Sequence, residues 1–454
     1  MSARFRSPSA RRRPIVLYQP SDEGAWMPLG LLAIGSGLAG EHVVVVDGRF
    51  ELAPEARVAE LASHAACLAV SVRTGAPLRD ALRVSAAARA VNPQLTILWG
   101  GPHATRAPES CLAAGPVDAC VRGAGEEALA AVVAAVHGGQ SLEGIPGLAL
   151  RDGSLSSPQS PPYPARQPRA AYPLLDLERH FEARGARRLD YCSSRGARDG
   201  EEWLGLSPDR VVAEIAELAD RHGLAEILFR DEDFFADMAR AEAIVAGISG
   251  EAARLGWRAT MRIDDVLDGG HDRLRLLAAT GCRRLYVPVR PGVPALRVGR
   301  ERVLDAGALL HAAGIPARFE FEIAQPGSRL EGLRAAVSLA RSLCALDARF
   351  ETPVRRPLDL AQLDGEQPAG LEPWIARAEA PWPDPRAERH LARVSFFFRE
   401  AQRPPGRRLG KHLLRTLSLL RVRLGFFALD VERRAVDVSA ILRTGRRRVL
   451  TRAD

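Results

Sequence analysis

Three glycine-bearing runs in the first third of the chain could hold a ligand. They are Ser71-Val72-Arg73-Thr74-Gly75, Gly100-Gly101-Pro102-His103 and Arg122-Gly123-Ala124-Gly125-Glu126-Glu127. Glycine lets a backbone come close to a bound molecule. A helix starting after each run would offer unpaired N–H groups to an anion. Taken singly, each run also fits a tight strand-to-helix turn; three on one edge favour a ligand site. His103 could face such a ligand or cap the following helix. The spacing does not fit a dinucleotide fingerprint, because no GxGxxG follows the first strand.

Other chemistry is sparsely signalled. Cys67, Cys111, Cys120, Cys192, Cys282 and Cys344 lie far apart. No pair has CxxC spacing, so neither a zinc site nor a local redox pair is expected. Reduced cysteines mostly in cores fit a cytoplasmic setting. Asp231 and Asp233 follow an apolar run, where a barrel would place active-site groups, but loop and helix-capping roles serve them equally. Asp264 and Asp265 read the same way. Nothing spells a Ser/His/Asp or metal-hydrolase arrangement, and the sequence assigns no catalytic residue.

The elements that must position these runs come from periodicity. Ile15–Tyr18, Val43–Val46, Cys67–Val72, Thr96–Trp99 and Ala119–Val121 are short apolar runs, suited to strands buried on both faces. Helical patterns at Leu29–Leu38, Glu55–Ala62, Pro77–Val91 and Glu126–Val136 separate them. The alternation predicts an α/β, Rossmann-like, doubly wound parallel sheet over residues 14–150, with ligands beyond the carboxyl ends of its strands. Gly147–Leu150 reads as a final short strand. Residues 151–185 include a Ser-, Pro- and Gln-rich stretch, Ser154 to Pro168, and read as a linker.

Residues 186–370 alternate again at a longer period. Strands are expected at Leu189–Ser193, Glu226–Phe229, Trp257–Met261, Arg284–Val289 and Arg318–Ile323. Helices are expected at Ser207–His222, Phe235–Ile248, His271–Ala279, Glu301–Ala313 and Leu330–Leu343. This predicts an open or partial β/α barrel, with its active loops at the strand ends. Residues 371–454 form a basic C-terminal helical segment, in which Phe396-Phe397-Phe398 and the arginines from Arg403 to Arg423 stand out. Leu409, Leu413, Leu417, Leu420 and Leu424 make one apolar helical face. Packing of that face on the barrel is the favoured expectation; weak, salt-sensitive contact with an anionic membrane surface is the other.

Composition narrows the class. The chain has 454 residues, with 46% hydrophobic and 26% charged, which are globular values. No run of about 18 uncharged apolar residues exists for a spanning helix. The basic tail at residues 1–13 is followed by only a short apolar run, and so does not read as a secretory signal. The net charge is +8, yet of the 63 basic residues only Lys411 is a lysine. Such an arginine and alanine bias points to a GC-rich coding sequence rather than to nucleic acid binding.

Both halves resemble the cobalamin-binding radical S-adenosylmethionine (SAM) family. In the first half the resemblance runs through Pro28-Leu29-Gly30-Leu31-Leu32, Asp47-Gly48, Val70-Ser71, Gly100 to Thr105, Val117-Asp118 and Arg122 to Glu127. It implies a corrin held over the strand-end loops, with Pro28, Gly30, Ser71, Arg73, Thr74, Gly75, Gly100, Gly101, Pro102, His103, Gly123, Gly125 and Glu126 as cofactor-binding residues. Asp22 is followed by Glu23-Gly24 rather than by a DxHxxG motif, so base-off binding without a histidine ligand is implied. In the second half it runs through Ser193-Ser194-Arg195-Gly196, Trp203, Ser207 to Val212, Phe229 to Phe235, Gly281 to Leu285 and Gln325-Pro326-Gly327.

The defining CxxxCxxC of that family is missing. Its three positions are Ala197, Glu201 and Leu204, and only Cys192 lies nearby. A cluster that cleaves SAM needs three thiolates, and Glu and Leu do not replace them. The family's SAM-binding Glu-Ser-Gly reads Arg290-Pro291-Gly292, and the glycine before its Pro-Gly reads Ala324-Gln325. The resemblance therefore implies a degenerate, methyltransferase-like member that binds cobalamin, with no [4Fe–4S] cluster or SAM expected. It would serve as scaffold or partner subunit of an active radical SAM relative. The alternatives are a cobalamin-dependent transferase working without its own cluster, and an interaction module with both ligand sites dead.

Overall fold

The computed structural model describes residues 13–21, 26–159, 169–200, 202–250, 255–289, 299–322, 330–347, 349–352, 354–355, 370–379, 385–402, 409–424 and 427. The chain divides into two units, residues 1–190 with 358–380, and residues 191–357 with 381–454.

In the first unit, strands β1 (Ile15–Gln19), β2 (Val43–Asp47), β3 (Cys67–Ser71), β4 (Thr96–Gly100), β5 (Ala119–Val121) and β6 (Leu148–Leu150) form one sheet. Between them run helices α1 (Leu29–Ser36), α2 (Pro54–Ala62), α3 (Ala76–Val91), α4 (Pro102–Arg106), α5 (Pro108–Leu112) and α6 (Glu126–Gly138), and α7 (Leu177–Arg184) follows the sheet. The strand order is β2-β1-β3-β4-β5-β6. The first five strands are parallel, and β6 is antiparallel to β5. Alternate side chains feed two cores. Val16, Tyr18, Leu68, Val70, Ile97 and Trp99 point to one face; Ile15, Leu17, Cys67, Ala69 and Leu98 point to the other. This is why the strands read as unbroken apolar runs. The order reverses between β1 and β3, which opens a crevice at their carboxyl ends.

The expected linker at 151–185 differs from what is seen. Gln159 N–H donates to the Arg122 carbonyl at 3.0 Å, and Ala124 N–H donates to the Gln159 carbonyl at 2.9 Å. Residues 160–168 lie outside the described residues. Beyond them, α7 is capped by Asp176, whose side chain accepts from Arg179 N–H. Asp190 belongs with this unit rather than with the barrel. It is fully buried, and accepts from Arg184 at 2.7 Å and from the Met27 N–H at 2.8 Å.

The second unit begins inside strand β7 (Arg188–Tyr191). A short hairpin of β8 (Ser194–Arg195) and β9 (Leu204–Gly205) comes next. Then α8 (Pro208–His222), β10 (Glu226–Phe229), α9 (Met238–Ile248), β11 (Gly256–Thr260), α10 (Ile263–Ala279), β12 (Cys282–Val289), α11 (Arg300–Ala312), β13 (Ala317–Glu322), α12 (Leu330–Leu346) and β14 (Val354–Arg355) alternate. The sheet order is β7-β10-β11-β12-β13-β14, so each strand adds beside the last. This is the partial β/α barrel expected. On β12 and β13, Leu285, Val287, Val289, Phe319 and Phe321 are buried, while Arg284, Tyr286, Arg318 and Glu320 alternate with them and are less buried.

Three further helices follow: α13 (Glu372–Glu379), α14 (Pro385–Gln402) and α15 (Leu409–Leu424). The first belongs to the first unit, where Leu371, Trp374 and Ile375 join the core containing Leu78 and Trp99. The other two belong to the second. Phe396, Phe397 and Phe398 are buried on α14, and Phe397 and Phe398 meet Phe427 at 6.1 Å. Arg341 on α12 donates to the Val422 carbonyl at 2.7 Å, at the end of α15.

One expectation is overturned here. The leucine face of α15 does not pack against the barrel: Leu413, Leu420 and Leu424 are 56%, 51% and 69% exposed. The helix turns Ser418 and Val422 inward instead. On that side Arg421 lies over the Phe397 ring of α14, 4.8 Å from its centroid. Among the described residues no helix is long and apolar enough to cross a membrane. The basic tail at 1–12 and residues 428–454 lie outside the described residues.

Candidate functional site

The three expected loops do sit at the carboxyl ends of β3, β4 and β5. Ser71, the last residue of β3, is in register with Gly100, the last of β4. Gly101 follows with φ +94°, and a Cβ there would stand 3.0 Å from the Val72 carbonyl oxygen. Only glycine allows this approach of two backbones. The amide of His103 donates to that same carbonyl at 3.2 Å, which ties the β3 and β4 ends together.

His103 is not a free face for a ligand. It is 1% exposed, with Nδ1 3.0 Å from Thr74 Oγ1 and Nε2 3.2 Å from Ser110 Oγ. The Ser110 hydroxyl donates to the Ala107 carbonyl at 2.8 Å. It therefore accepts from His103 Nε2–H, and Nδ1 accepts from Thr74. Both nitrogens are spent within the fold, so His103 braces the loops and offers no lone pair to a metal.

The β5 loop is likewise occupied in part. Gly123 N–H donates to Thr105 Oγ1 at 2.9 Å, and Ala124 N–H is taken by Gln159. Gly125 and Glu126 are buried, and a Cβ on Gly125 would meet Ile34 of α1 at 3.2 Å. Gly125 thus allows close packing of α1 on α6. Sequence reasoning could not separate this from a ligand role, because a glycine before a helix serves both.

What remains open is the rim nearer the strand-order reversal. Arg73, Pro102 and Gly123 are exposed, while Ser71 and Thr74 are half-buried. Pro28 caps α1 and is buried; Gly30, two residues on, is exposed with no atom within 4 Å of the Cβ it lacks. The Arg73 guanidinium lies over the Trp26 ring, 5.6 Å from its centroid. The sequence reading missed Trp26; its neighbour Pro28 was the available signal. Open space at Gly30, small side chains at Ser71 and Thr74, and an exposed Trp–Arg pair fit a large flat ligand with polar edges. Asp22-Glu23-Gly24, where a lower-ligand motif would begin, lies outside the described residues.

The second unit carries the expected cluster loop. Ala197 is half-buried, Leu204 pairs with Arg195 in the β8–β9 hairpin, and Glu201 lies outside the described residues. Cys192, the nearest thiol, points its Sγ at the Ser194 carbonyl at 3.0 Å. Burial pushes this thiol up to about 12. Among the described residues no group of three or more His, Cys, Asp and Glu side chains could hold a metal ion. Ala197 and Leu204 therefore bring no thiol to this loop.

A salt-bridge network crosses the strand ends instead. Arg198 donates to Asp233 at 2.9 Å and to Asp265 at 2.8 Å. Arg262 reaches Asp199 at 2.6 Å and Asp233 at 3.1 Å. Trp203 Nε1–H donates to the Asp233 carbonyl at 3.1 Å. Burial raises the Asp265 carboxyl, and the Arg198 hydrogen bonds oppose this. The start of the loop is fixed from below: Asp231, fully buried and raised by that burial, accepts from Ser193 N–H at 3.1 Å and Ser193 Oγ at 2.7 Å. Asp231, Asp233 and Asp265, for which a barrel-mouth role and a loop role both stood open in the sequence, are thus braces for the loop. Asp264 pairs with Arg302 at 2.5 Å on the surface. Arg290-Pro291-Gly292 and Ala324-Gln325, the altered SAM positions, lie outside the described residues.

With this geometry in view, the relatives are informative. The family model "B12 binding domain" matches residues 21–133. Those residues form a B12-binding domain. The chain is 27% identical over 348 residues to an uncharacterised methyltransferase of Pyrococcus horikoshii, covering 71% of this chain and 75% of that protein. It is 26% identical over 282 residues to the anaerobic magnesium-protoporphyrin IX monomethyl ester cyclase of Synechocystis, covering 57% and 56%. The radical SAM methyltransferase TsrM of Kitasatospora setae shares its fold, with TM-score 0.60 and 20% identity over 74% of this chain and 72% of that one. So does the cobalamin-dependent SAM radical enzyme OxsB, with TM-score 0.59 and 16% identity over 81% and 55%. The resemblance read from the sequence, and its α/β two-part architecture, are borne out by these matches.

Proposed function

We propose that this chain is a cobalamin-binding, radical-SAM-like pseudoenzyme that works as a scaffold or partner subunit of an active relative. Its first unit holds cobalamin at the rim formed by Gly30, Ser71, Arg73, Thr74 and Pro102, with Trp26 at the edge. Cobalamin, when bound, supplies methyl-carrier chemistry; the protein positions it and shields it from water. One observation carries the rest: the cluster positions Ala197 and Leu204 offer no thiolate, and the loop between them is pinned by Arg198 to Asp233 and Asp265. A cytoplasmic location accords with this reading.

A second reading is a cobalamin-dependent transferase without its own cluster. The methyltransferase name of the Pyrococcus relative favours it. Anaerobic reconstitution with iron, sulfide and cobalamin, followed by metal analysis, tests the proposal. The expected result is about one cobalt per chain and iron at background. About four irons per chain, lost in Cys192→Ala, would revive a radical enzyme. Turnover of SAM by the chain alone would favour the transferase.

A further inference from the structure

The C-terminal helix α15 presents an apolar stripe outward. Leu413, Leu420 and Leu424 are more than half exposed, and half-buried Leu417 falls between them at helical spacing. The spacing of four, three and four residues puts all of them on one side. Its opposite side is engaged through Ser418 and Val422, and Arg341 holds its last turn. The helix is therefore anchored by one face while a leucine row stays uncovered.

The charge along that helix has one sign. Between Glu400 and Asp430 there is no acidic residue, whereas Lys411, Arg415, Arg421 and Arg423 all lie on α15. His412 and Arg423, each one position from a leucine, are exposed at the flank of the row. A self-complementary contact between two copies would bring these cations together. Nucleic acid would match the cations but gains nothing from a leucine row. An anionic lipid surface matches both: leucines enter the acyl boundary while Arg423 at the flank stays at the headgroups.

We propose that α15 docks the protein on anionic lipid surfaces through Leu413, Leu417, Leu420 and Leu424, with Arg423 at the headgroups. The contact is peripheral and reversible. It is independent of the cobalamin reading, since it rests on a different element of the second unit.

Vesicle flotation with the full chain tests it. Vesicles of about equal parts phosphatidylcholine and phosphatidylglycerol should carry the protein upward, and phosphatidylcholine alone should not. Raising salt from about 0.1 M to 1 M, which shortens the screening length from about 10 Å to 3 Å, should release most of it. The triple variant Leu413→Ser, Leu420→Ser, Leu424→Ser should bind the anionic vesicles at least about tenfold more weakly. Its melting temperature should match the parent's, because the three side chains are exposed. Arg423→Glu should weaken binding without changing stability. Failure of the parent to float overturns the proposal. So does a triple variant that binds as well as the parent, which would leave charge alone as the cause. Light scattering that shows a dimer dissolved by the triple variant would assign the stripe to a second copy. Capture of an acidic protein through the leucines, with no flotation, would assign it to a protein groove.

Discussion

His103 and Trp374 meet edge to face, with ring centroids 5.1 Å apart and planes at 85°. A residue of the β4 loop is thus held by a helix that arrives more than 250 positions later in the chain. Both residues are buried, and the histidine nitrogens are committed to Thr74 and Ser110. His103→Ala should cost about 1–3 kcal/mol for the orphaned hydroxyls, and Trp374→Ala about 3–5 kcal/mol. Denaturant melts of the full chain measure both. The cobalt(II) resonance spectrum of bound cobalamin should be the same in His103→Ala and the parent. A nitrogen splitting lost in the variant would make the ring a ligand after all.

Gly30 and Gly101 should separate ligand binding from folding. Gly101→Ala meets the Val72 carbonyl and needs a positive φ, so it should destabilise by about 1–3 kcal/mol. Gly30→Trp enters open space and should leave the melting temperature unchanged while weakening cobalamin uptake. Absorbance titration checks this. Full-affinity uptake by Gly30→Trp would place the corrin elsewhere.

Arg198 is the residue to remove at the barrel mouth. Arg198→Gln leaves the buried Asp233 and Asp265 without their bridge. The guanidinium is over one-third exposed, so the loss should be modest, about 1–2 kcal/mol. Asp265, already raised by burial, becomes easier still to protonate without the cation, so the deficit should shrink as pH falls into the carboxylate range. Chemical melts at several pH values measure it; a deficit independent of pH contradicts the assignment.

His180 on α7 gives the first unit a pH dependence. Its ring lies against Phe50 at 4.7 Å and 3.7 Å from Asp47, and burial pushes it down to about 4. The folded state thus favours the uncharged ring. The stabilisation is complete above about 6.5, the unfolded value, and drains away as pH falls toward 4. The full effect is on the order of 3 kcal/mol. His180→Gln should flatten that part of the stability curve, read as melting temperature against pH. Parallel curves for the two proteins would refute this.

The two leucine- and phenylalanine-rich helices should respond oppositely to truncation. Phe398→Ala empties a core position and should cost about 3–5 kcal/mol. Leu420→Ser changes an exposed side chain and should stay within about 0.5 kcal/mol. Thermal melts of the two single variants decide it.

Much of this fold was legible because its strands are buried on both faces. Ala119–Val121 and Glu226–Phe229 are strands with the very bounds read from the apolar runs. Helices with proline at the first turn, such as α8 after Ser207, were equally plain. The site was less legible. Glycine and histidine at a strand end look alike whether they meet a ligand or a neighbouring loop. Only the hydrogen bonds of His103 and the contact of Gly125 with Ile34 tell the two apart. The leucines of α15 misled for a related reason: periodicity gives a face but not the side on which the neighbour stands. Trp374 had no signal at all, since its partner lies in a distant segment.

The return of α13 to the first unit also sets an order of events during synthesis. Leu371, Trp374 and Ile375 complete a core whose other members end at Ala149. A ribosome makes every strand of the barrel before it delivers them. The cobalamin-binding unit therefore emerges with an apolar patch uncovered and is sealed only after the intervening strands exist. A fragment ending near residue 190 would keep that patch permanently bare and should be aggregation-prone, so the B12-binding half of this protein is a passenger of its own C-terminal third.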